Sequence, residues 1–283
     1  MTERLLEVKD LVVEFPGRGW RKPPFRALKG VSLDIRPGET VGLVGESGSG
    51  KTTIGRAVLG LVPAAAGSIR FDSRELVGIS KSDRRALAKD IQVVFQDPYT
   101  SLNPAMTIEE ILAEPMVTAG VLDKTGARQR ISTLLDQVGL PGDSGRRLPR
   151  EFSGGQRQRV AIARALALSP RLIVCDEPVS ALDLSTQERV LDLFIDIQEA
   201  AGVAYLFVSH DLEVVRHISH RVSVIYRGEI VESGEADQVT ARPEHPYTQK
   251  LFFASPEPDP VRQKQRREER MAFMREAAGQ GAA

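Results

Sequence analysis

Eight residues, Gly45–Glu46–Ser47–Gly48–Ser49–Gly50–Lys51–Thr52, follow the pattern G-x-x-x-x-G-K-[ST], and the chemistry of phosphate binding calls for these residue types. Gly48 and Gly50 let backbone N–H groups close around phosphate oxygens with no Cβ in the way. The helix expected next offers unpaired N–H groups and about half a positive charge at its N-terminus. Lys51 adds a full charge near the β- and γ-phosphates, the Thr52 hydroxyl can coordinate Mg²⁺, and Thr53 can donate to the α-phosphate. The second feature is the apolar run Leu172–Ile173–Val174–Cys175 ending in Asp176–Glu177. A buried strand there puts Asp176 at the carboxyl edge of a sheet, where open α/β sheets bind ligands, and an acid in that place can hold Mg²⁺ through water. Glu177 could then polarise an attacking water as general base, an effect of about 10²–10⁴-fold in rate. Cys175 reads as a small buried apolar residue.

These side chains need a frame. The buried run 40–44 stops at the Gly-rich segment, and an apolar-periodic helix through Ile54, Val58 and Leu61 leaves it, a context that favours a phosphate loop over a plain Gly/Ser turn. Upstream, residues 5–15 and 31–35 alternate apolar and polar as strands do, and 16–26, with Gly17, Gly19, Pro23 and Pro24, reads as a loop. The stretch 80–150 has helical character broken at Asp97–Pro98, Asn103–Pro104 and Pro141–Gly142. Beyond it come a helix at about 155–167, a strand at 172–175, a helix at 186–200 and strands at 204–208, 222–226 and 229–231. Strands alternating with helices predict an α/β core with a largely parallel sheet.

At 283 residues the chain can bury a sizeable core. Its 38 basic residues balance 38 acidic ones, which argues against a surface built throughout to attract nucleic acid or anionic lipid. One cysteine excludes an internal disulfide framework or a cysteine-based metal cluster. The N-terminus lacks the apolar core of a signal peptide, and no run is long enough to span a bilayer. Service at a membrane would therefore go through partner chains.

A third motif, Ser153–Gly154–Gly155–Gln156 followed by Arg157–Gln158–Arg159–Val160–Ala161–Ile162–Ala163–Arg164–Ala165, is a serine cap and two glycines opening a helix, a second anion site. It resembles the signature sequence of ATP-binding-cassette (ABC) ATPases. The resemblance implies a P-loop NTPase fold of the ABC ATPase kind, with a RecA-like parallel-sheet core, an N-terminal antiparallel β subdomain and a helical signature subdomain. The ATPase domain would span 5–235, its helical part about 97–160. It also implies a dimer in which each Ser153–Gly154–Gly155 closes on the γ-phosphate held by the other chain, so that two ATP molecules are sandwiched. Gln96 matches the Q-loop glutamine that senses Mg²⁺ and the attacking water, and Ser180–Ala181–Leu182–Asp183 matches the D-loop. His210, in Val208–Ser209–His210–Asp211, matches the switch histidine at the γ-phosphate, whereas His217, His220 and His245 keep a structural reading. Phe15 matches the aromatic that stacks on adenine; Trp20 and Phe25 are the alternatives, as is a core role for Phe15. Phe152 departs from the commoner leucine but remains apolar.

Within the family, Phe95–Gln96–Asp97–Pro98–Tyr99–Thr100–Ser101–Leu102–Asn103–Pro104 and His245–Pro246–Tyr247–Thr248, with Ser255–Pro256–Glu257–Pro258–Asp259–Pro260, resemble the ATPases of dipeptide and oligopeptide importers. Residues 236–260 would be that subfamily's C-terminal region, and 261–283 a charged tail, helical and solvated or disordered. The resemblance implies ATP and Mg²⁺ as ligands, with no iron–sulfur cluster because the C-terminal region has no cysteine. It implies as partners a second, in such importers usually different, ATPase chain, two transmembrane permease subunits and an extracytoplasmic substrate-binding protein. The place of action would be the cytoplasmic face of the inner membrane. Peptides are the expected cargo, and nickel, glutathione or another small solute the alternative. A soluble ABC ATPase acting on nucleic acid fits less well, since such proteins carry coiled-coil insertions, zinc modules or paired cassettes.

Overall fold

The computed structural model describes residues 4–17 and 23–254; the expectations for Trp20, for 255–260 and for the charged tail lie outside them. In chain order the strands are β1 (Leu6–Phe15), β2 (Phe25–Ile35), β3 (Thr40–Val44), β4 (Ala66–Phe71), β5 (Arg74–Glu75), β6 (Ile91–Val94), β7 (Leu172–Asp176), β8 (Ala204–Ser209), β9 (Arg221–Tyr226) and β10 (Glu229–Glu235). The helices are α1 (Lys51–Val58), α2 (Lys81–Leu87), α3 (Pro98–Ser101), α4 (Ile108–Thr118), α5 (Lys124–Gln137), α6 (Gly154–Leu166), α7 (Leu184–Ala201), α8 (Leu212–Ile218), α9 (Ala236–Ala241) and α10 (Pro246–Ala254).

The central sheet has the order β10-β9-β3-β8-β7-β6 and is parallel except at its β10 edge. Parallel strands are covered on both faces, so their sequences are nearly continuous apolar runs. Successive side chains then serve opposite cores. On β7 and β8, Leu172, Val174, Ala204, Leu206 and Val208 pack with α1 and the N-terminal strands. Ile173, Cys175, Tyr205 and Phe207 pack with the helices α4 to α7. In that second core the Phe194 ring meets the edges of Tyr205 and Phe207 at centroid separations of 5.4 and 5.7 Å, and the buried Tyr205 hydroxyl donates to the Phe194 carbonyl at 3.1 Å. A third cluster joins Val44, Leu212, Val222 and Val224 to Val239 and Tyr247.

Register determines where the motifs end. Val44 lies opposite Ser209, and Asp176 opposite Val208, so the phosphate loop, the acidic pair and His210 all emerge at one edge of the sheet. The opposite edge is closed by internal bonds. There Thr40 N–H donates to His220 Nδ1 at 3.1 Å, and Arg221 donates to Asp34 and Glu39 at 3.3 and 3.2 Å.

A second, antiparallel sheet has the order β2-β1-β4-β5. The alternation in 5–15 and 31–35 predicts its two principal strands, but β2 starts at Phe25, inside the expected loop. Its first two residues are exposed and are held by pairing, Phe25 opposite Phe15, rather than by an apolar face. The four-residue β6 interrupts the stretch expected to be helical; one buried edge pairing with β7 suffices for it.

The helices α4 to α6 form the segment that carries the Ser-Gly-Gly turn. Thr107 opens α4 with a reciprocal cap, its backbone N–H donating to Glu110 Oε2 at 2.8 Å while its hydroxyl accepts from Glu110 N–H at 3.3 Å. Thr107→Ala is expected to cost about 1 kcal/mol, read as a lower urea midpoint at unchanged slope. Phe152 is buried in this helical core, so the larger ring is accommodated. No described helix is long and apolar enough to cross a membrane.

Candidate nucleotide site

The loop between β3 and α1 is pressed against its neighbours. A Cβ at Gly45 would lie 2.2 Å from the Ile225 carbonyl oxygen, which leaves no room for a side chain. Gly50 is the N-cap of α1 at φ 115° and supplies no side-chain acceptor, so the first N–H groups of the helix keep no side-chain partner. The Ser49 hydroxyl is buried and makes no hydrogen bond. Lys51 is only 4 % exposed. Its ammonium donates to the carbonyls of Gly45 and Glu46 at 2.8 and 2.9 Å. Burial pulls its pKa down, and the carboxylates of Glu177 and Asp176 pull it back up.

The acidic pair faces this cation. Asp176 accepts a 2.8 Å hydrogen bond from the Thr52 hydroxyl. Burial raises its pKa, against the opposing pull of Thr52, Arg56 and Lys51. Glu177 follows with its backbone at φ 49°, a left-handed conformation uncommon outside glycine and asparagine, pinned by its N–H to the Val208 carbonyl at 3.0 Å. Glu177 Oε2 accepts from Gln96 Nε2 at 3.3 Å and meets His210 Nδ1 at 3.1 Å. Side chains from the ends of β6, β7 and β8 thus converge on one carboxylate oxygen.

The Ser-Gly-Gly turn stands apart. Ser153 caps α6 by accepting from Gln156 N–H at 3.3 Å, and Gln156 Oε1 accepts in return from Ser153 N–H at 3.0 Å. A Cβ at Gly155 would come within 2.3 Å of Thr186 Cγ2, so this glycine lets α6 sit against α7. The Arg157 guanidinium lies 4.1 Å from the centre of the Tyr99 ring. Among the described residues no hydrogen bond joins residues 153–156 to residues 45–53.

Phe15 and Phe25 face each other at the open ends of β1 and β2, 37 % and 64 % exposed. Their strand pair touches the loop, since a Cβ at Gly50 would meet Leu28 and the Ala27 carbonyl of β2, and the turn between β9 and β10 touches it too, Gly228 N–H donating to the Ser49 carbonyl at 2.9 Å. The other histidines have structural contacts. His217 pairs with Asp192 at 3.0 Å, His220 accepts from Thr40, and His245 Nδ1 accepts from Tyr247 N–H at 3.1 Å. Sequence reasoning missed one residue at the loop. The Tyr247 hydroxyl accepts from Glu46 N–H at 2.9 Å, across 201 positions that no local pattern links.

The edge suits a triphosphate with a divalent cation. It has helix N–H groups without side-chain acceptors, an orphaned buried hydroxyl and a half-buried carboxylate beside a hydroxyl, the hard oxygen donors that such a cation prefers. The parallel sheet with this loop places the protein in the P-loop class. A family model described as ABC transporter matches residues 28–180, and one described as the oligopeptide/dipeptide transporter C-terminal region matches 231–281. The chain belongs to the ABC transporter family, in the branch that carries this C-terminal region.

Among curated proteins, the glutathione import ATP-binding protein GsiA of Escherichia coli (strain K12) is 48 % identical over 269 residues, covering 94 % of this chain and 43 % of that protein. Its namesake from Pectobacterium atrosepticum is 47 % identical over 264 residues, covering 92 % and 42 %. The chain thus spans less than half the length of these relatives. Among solved structures, cbiO1 from Clostridium perfringens, part of the ABC transporter complex cbiONQ, superposes with a TM-score of 0.75 at 25 % identity, over 85 % of this chain and 92 % of that one. The bacterial ABC transporter cassette MJ0796, solved as a dimer and also in a post-hydrolysis state bound to ADP and Pi, gives 0.73 at 30 % identity, over 82 % and 98 %.

Proposed function

We propose that this chain binds and hydrolyses ATP and so energises the import of peptides through partner permeases. The observation that carries this reading is the convergence of Gln96 and His210 on Glu177, beside Lys51 and the Thr52–Asp176 pair. In this mechanism the N–H groups of residues 48–53 and the Lys51 ammonium hold the phosphates, with Gly45, Glu46 and Ser47 shaping the loop and Phe15 stacking on adenine. Thr52, Asp176 and Gln96 would hold Mg²⁺, which when bound neutralises charge on the phosphates. Glu177 takes the proton from the attacking water, Gln96 orients that water, and His210 contacts the γ-phosphate.

The Ser153–Gly154–Gly155–Gln156 turn, which makes no hydrogen bond to its own phosphate loop among the described residues, serves the nucleotide of a second ATPase chain. ATP drives closure of the pair because it binds the closed state more tightly than the open one. Two permease subunits convert closure into transport at the cytoplasmic face of the membrane, and an extracytoplasmic binding protein delivers the cargo. Peptides are favoured by the C-terminal region matched over 231–281, and glutathione, itself a tripeptide, by the relatives' name.

The test is ATP hydrolysis by the purified chain with Mg²⁺, followed by ATP-dependent peptide uptake in vesicles containing the permeases. Turnover per chain should rise with protein concentration, as a two-chain site requires. Concentration-independent turnover by a chain that remains monomeric would overturn the shared site, and absence of hydrolysis with the permeases and the second ATPase chain present would overturn the ATPase reading.

A further inference from the structure

One peptide unit of the phosphate loop is gripped from both sides. The Gly45 carbonyl accepts from the Lys51 ammonium at 2.8 Å, and the N–H of the same peptide, on Glu46, donates to the Tyr247 hydroxyl at 2.9 Å. Tyr247 belongs to α10, which the mechanism above does not use. Its ring is buried and lies against Tyr226, the last residue of β9, with centroids 4.1 Å apart and planes 30° from parallel. The start of α10 is fixed in turn by β10, where the Glu232 carboxylate accepts from the N–H groups of Glu244 and His245 at 2.9 and 3.0 Å. His245 Nδ1 then accepts from Tyr247 N–H at 3.1 Å. A continuous path of contacts thus runs from β10 through α10 to the peptide that positions Lys51.

We propose that Tyr247 is a positioning residue for the phosphate loop, and that through it nucleotide affinity is coupled to the seating of α10. The inference rests on the ATP-binding reading and gives it a regulatory input. Rotation of the Gly45–Glu46 peptide would carry its carbonyl away from the ammonium. The Tyr247 hydroxyl resists that rotation, which preorganises the loop so that less is lost on binding. Burial raises the Tyr247 pKa, and the hydroxyl remains neutral through the physiological range. Coupling of this kind is reciprocal: whatever unseats α10 weakens nucleotide binding, and nucleotide holds α10 in place by the same factor. Because α10 lies in the region shared with oligopeptide and dipeptide transporters, a partner touching it has a route to the phosphate loop.

The experiment uses the full chain and Tyr247→Phe, which removes only the hydroxyl and keeps the ring against Tyr226. The dissociation constant for MgADP should rise by up to about tenfold, the most that one neutral hydrogen bond is worth, and the urea midpoint without nucleotide should fall modestly at unchanged slope, because preorganisation requires the same bond in the free chain. Hydrogen exchange should show MgADP protecting residues 246–254 in the wild type, and less so in the variant. Glu232→Gln, which weakens the anchor of α10 without touching the loop, should shift the MgADP constant in the same direction. Equal MgADP binding by wild type and Tyr247→Phe, with unchanged exchange, would overturn the coupling and leave the ATP reading standing. A wild type that does not bind MgADP would overturn that reading and the inference with it.

Discussion

Glu177→Gln is expected to retain nucleotide binding and to lose about 10²–10⁴-fold in ATP turnover. The substitution keeps the side chain's length and its ability to bond with Gln96 and His210, which lie 3.3 and 3.1 Å from the carboxylate. What disappears is the anionic oxygen that accepts a proton from water. Lys51 and the Thr52–Asp176 pair are untouched, so the affinity for ATP should stay within a few-fold of wild type. With hydrolysis stalled, ATP is expected to hold two chains together, and gel filtration with ATP and Mg²⁺ should show a dimer that ADP does not support. Undiminished turnover would remove Glu177 from the role of base.

Lys51→Met is expected to do the reverse, raising the dissociation constant for MgATP by about 10²-fold or more, since hydrogen bonds to charged groups are worth about 1.5–3 kcal/mol each. The stability of the nucleotide-free chain should change far less. The Lys51 ammonium is held in a buried place against its desolvation cost, which pulls its pKa down, and methionine fills similar volume without that cost. Loss of two donors to the carbonyls of Gly45 and Glu46 works in the opposite direction. Thermal unfolding separates the two effects. Millimolar MgATP should raise the midpoint of the wild type through mass action and leave that of the variant nearly still. An equal rise in both would mean that the lysine does not hold phosphate.

The parts of the fold that were legible in the sequence are those in which one short segment carries its own signal. Residues 40–44 are an unbroken buried run and 172–175 an unbroken apolar one because both faces of the sheet are covered, and the glycines and Lys51 follow the first at fixed spacing. The family resemblance added Gln96 and His210, and the structure places both against Glu177. Illegible were features made by pairing between distant segments. The exposed start of β2 is held by β1, β6 by β7, and Tyr247 by a loop 201 positions away. Such contacts leave no period in the local sequence. The placing of adenine is partly hidden for the same reason: Phe15 and Phe25 share the rim of one strand pair, and their order along the chain does not choose between them.

The strand that delivers the acidic pair also holds Cys175, the chain's one cysteine, with none of its surface exposed and its thiol pKa pushed well up by burial. A thiol so placed reacts only when β7 separates from its neighbours, so its labelling rate acts as a clock for opening of the central sheet. Saturating nucleotide should slow that clock. Because the native thiol is silent in the folded chain, a single cysteine introduced on the exposed surface could carry a probe of docking to other subunits without removal of Cys175.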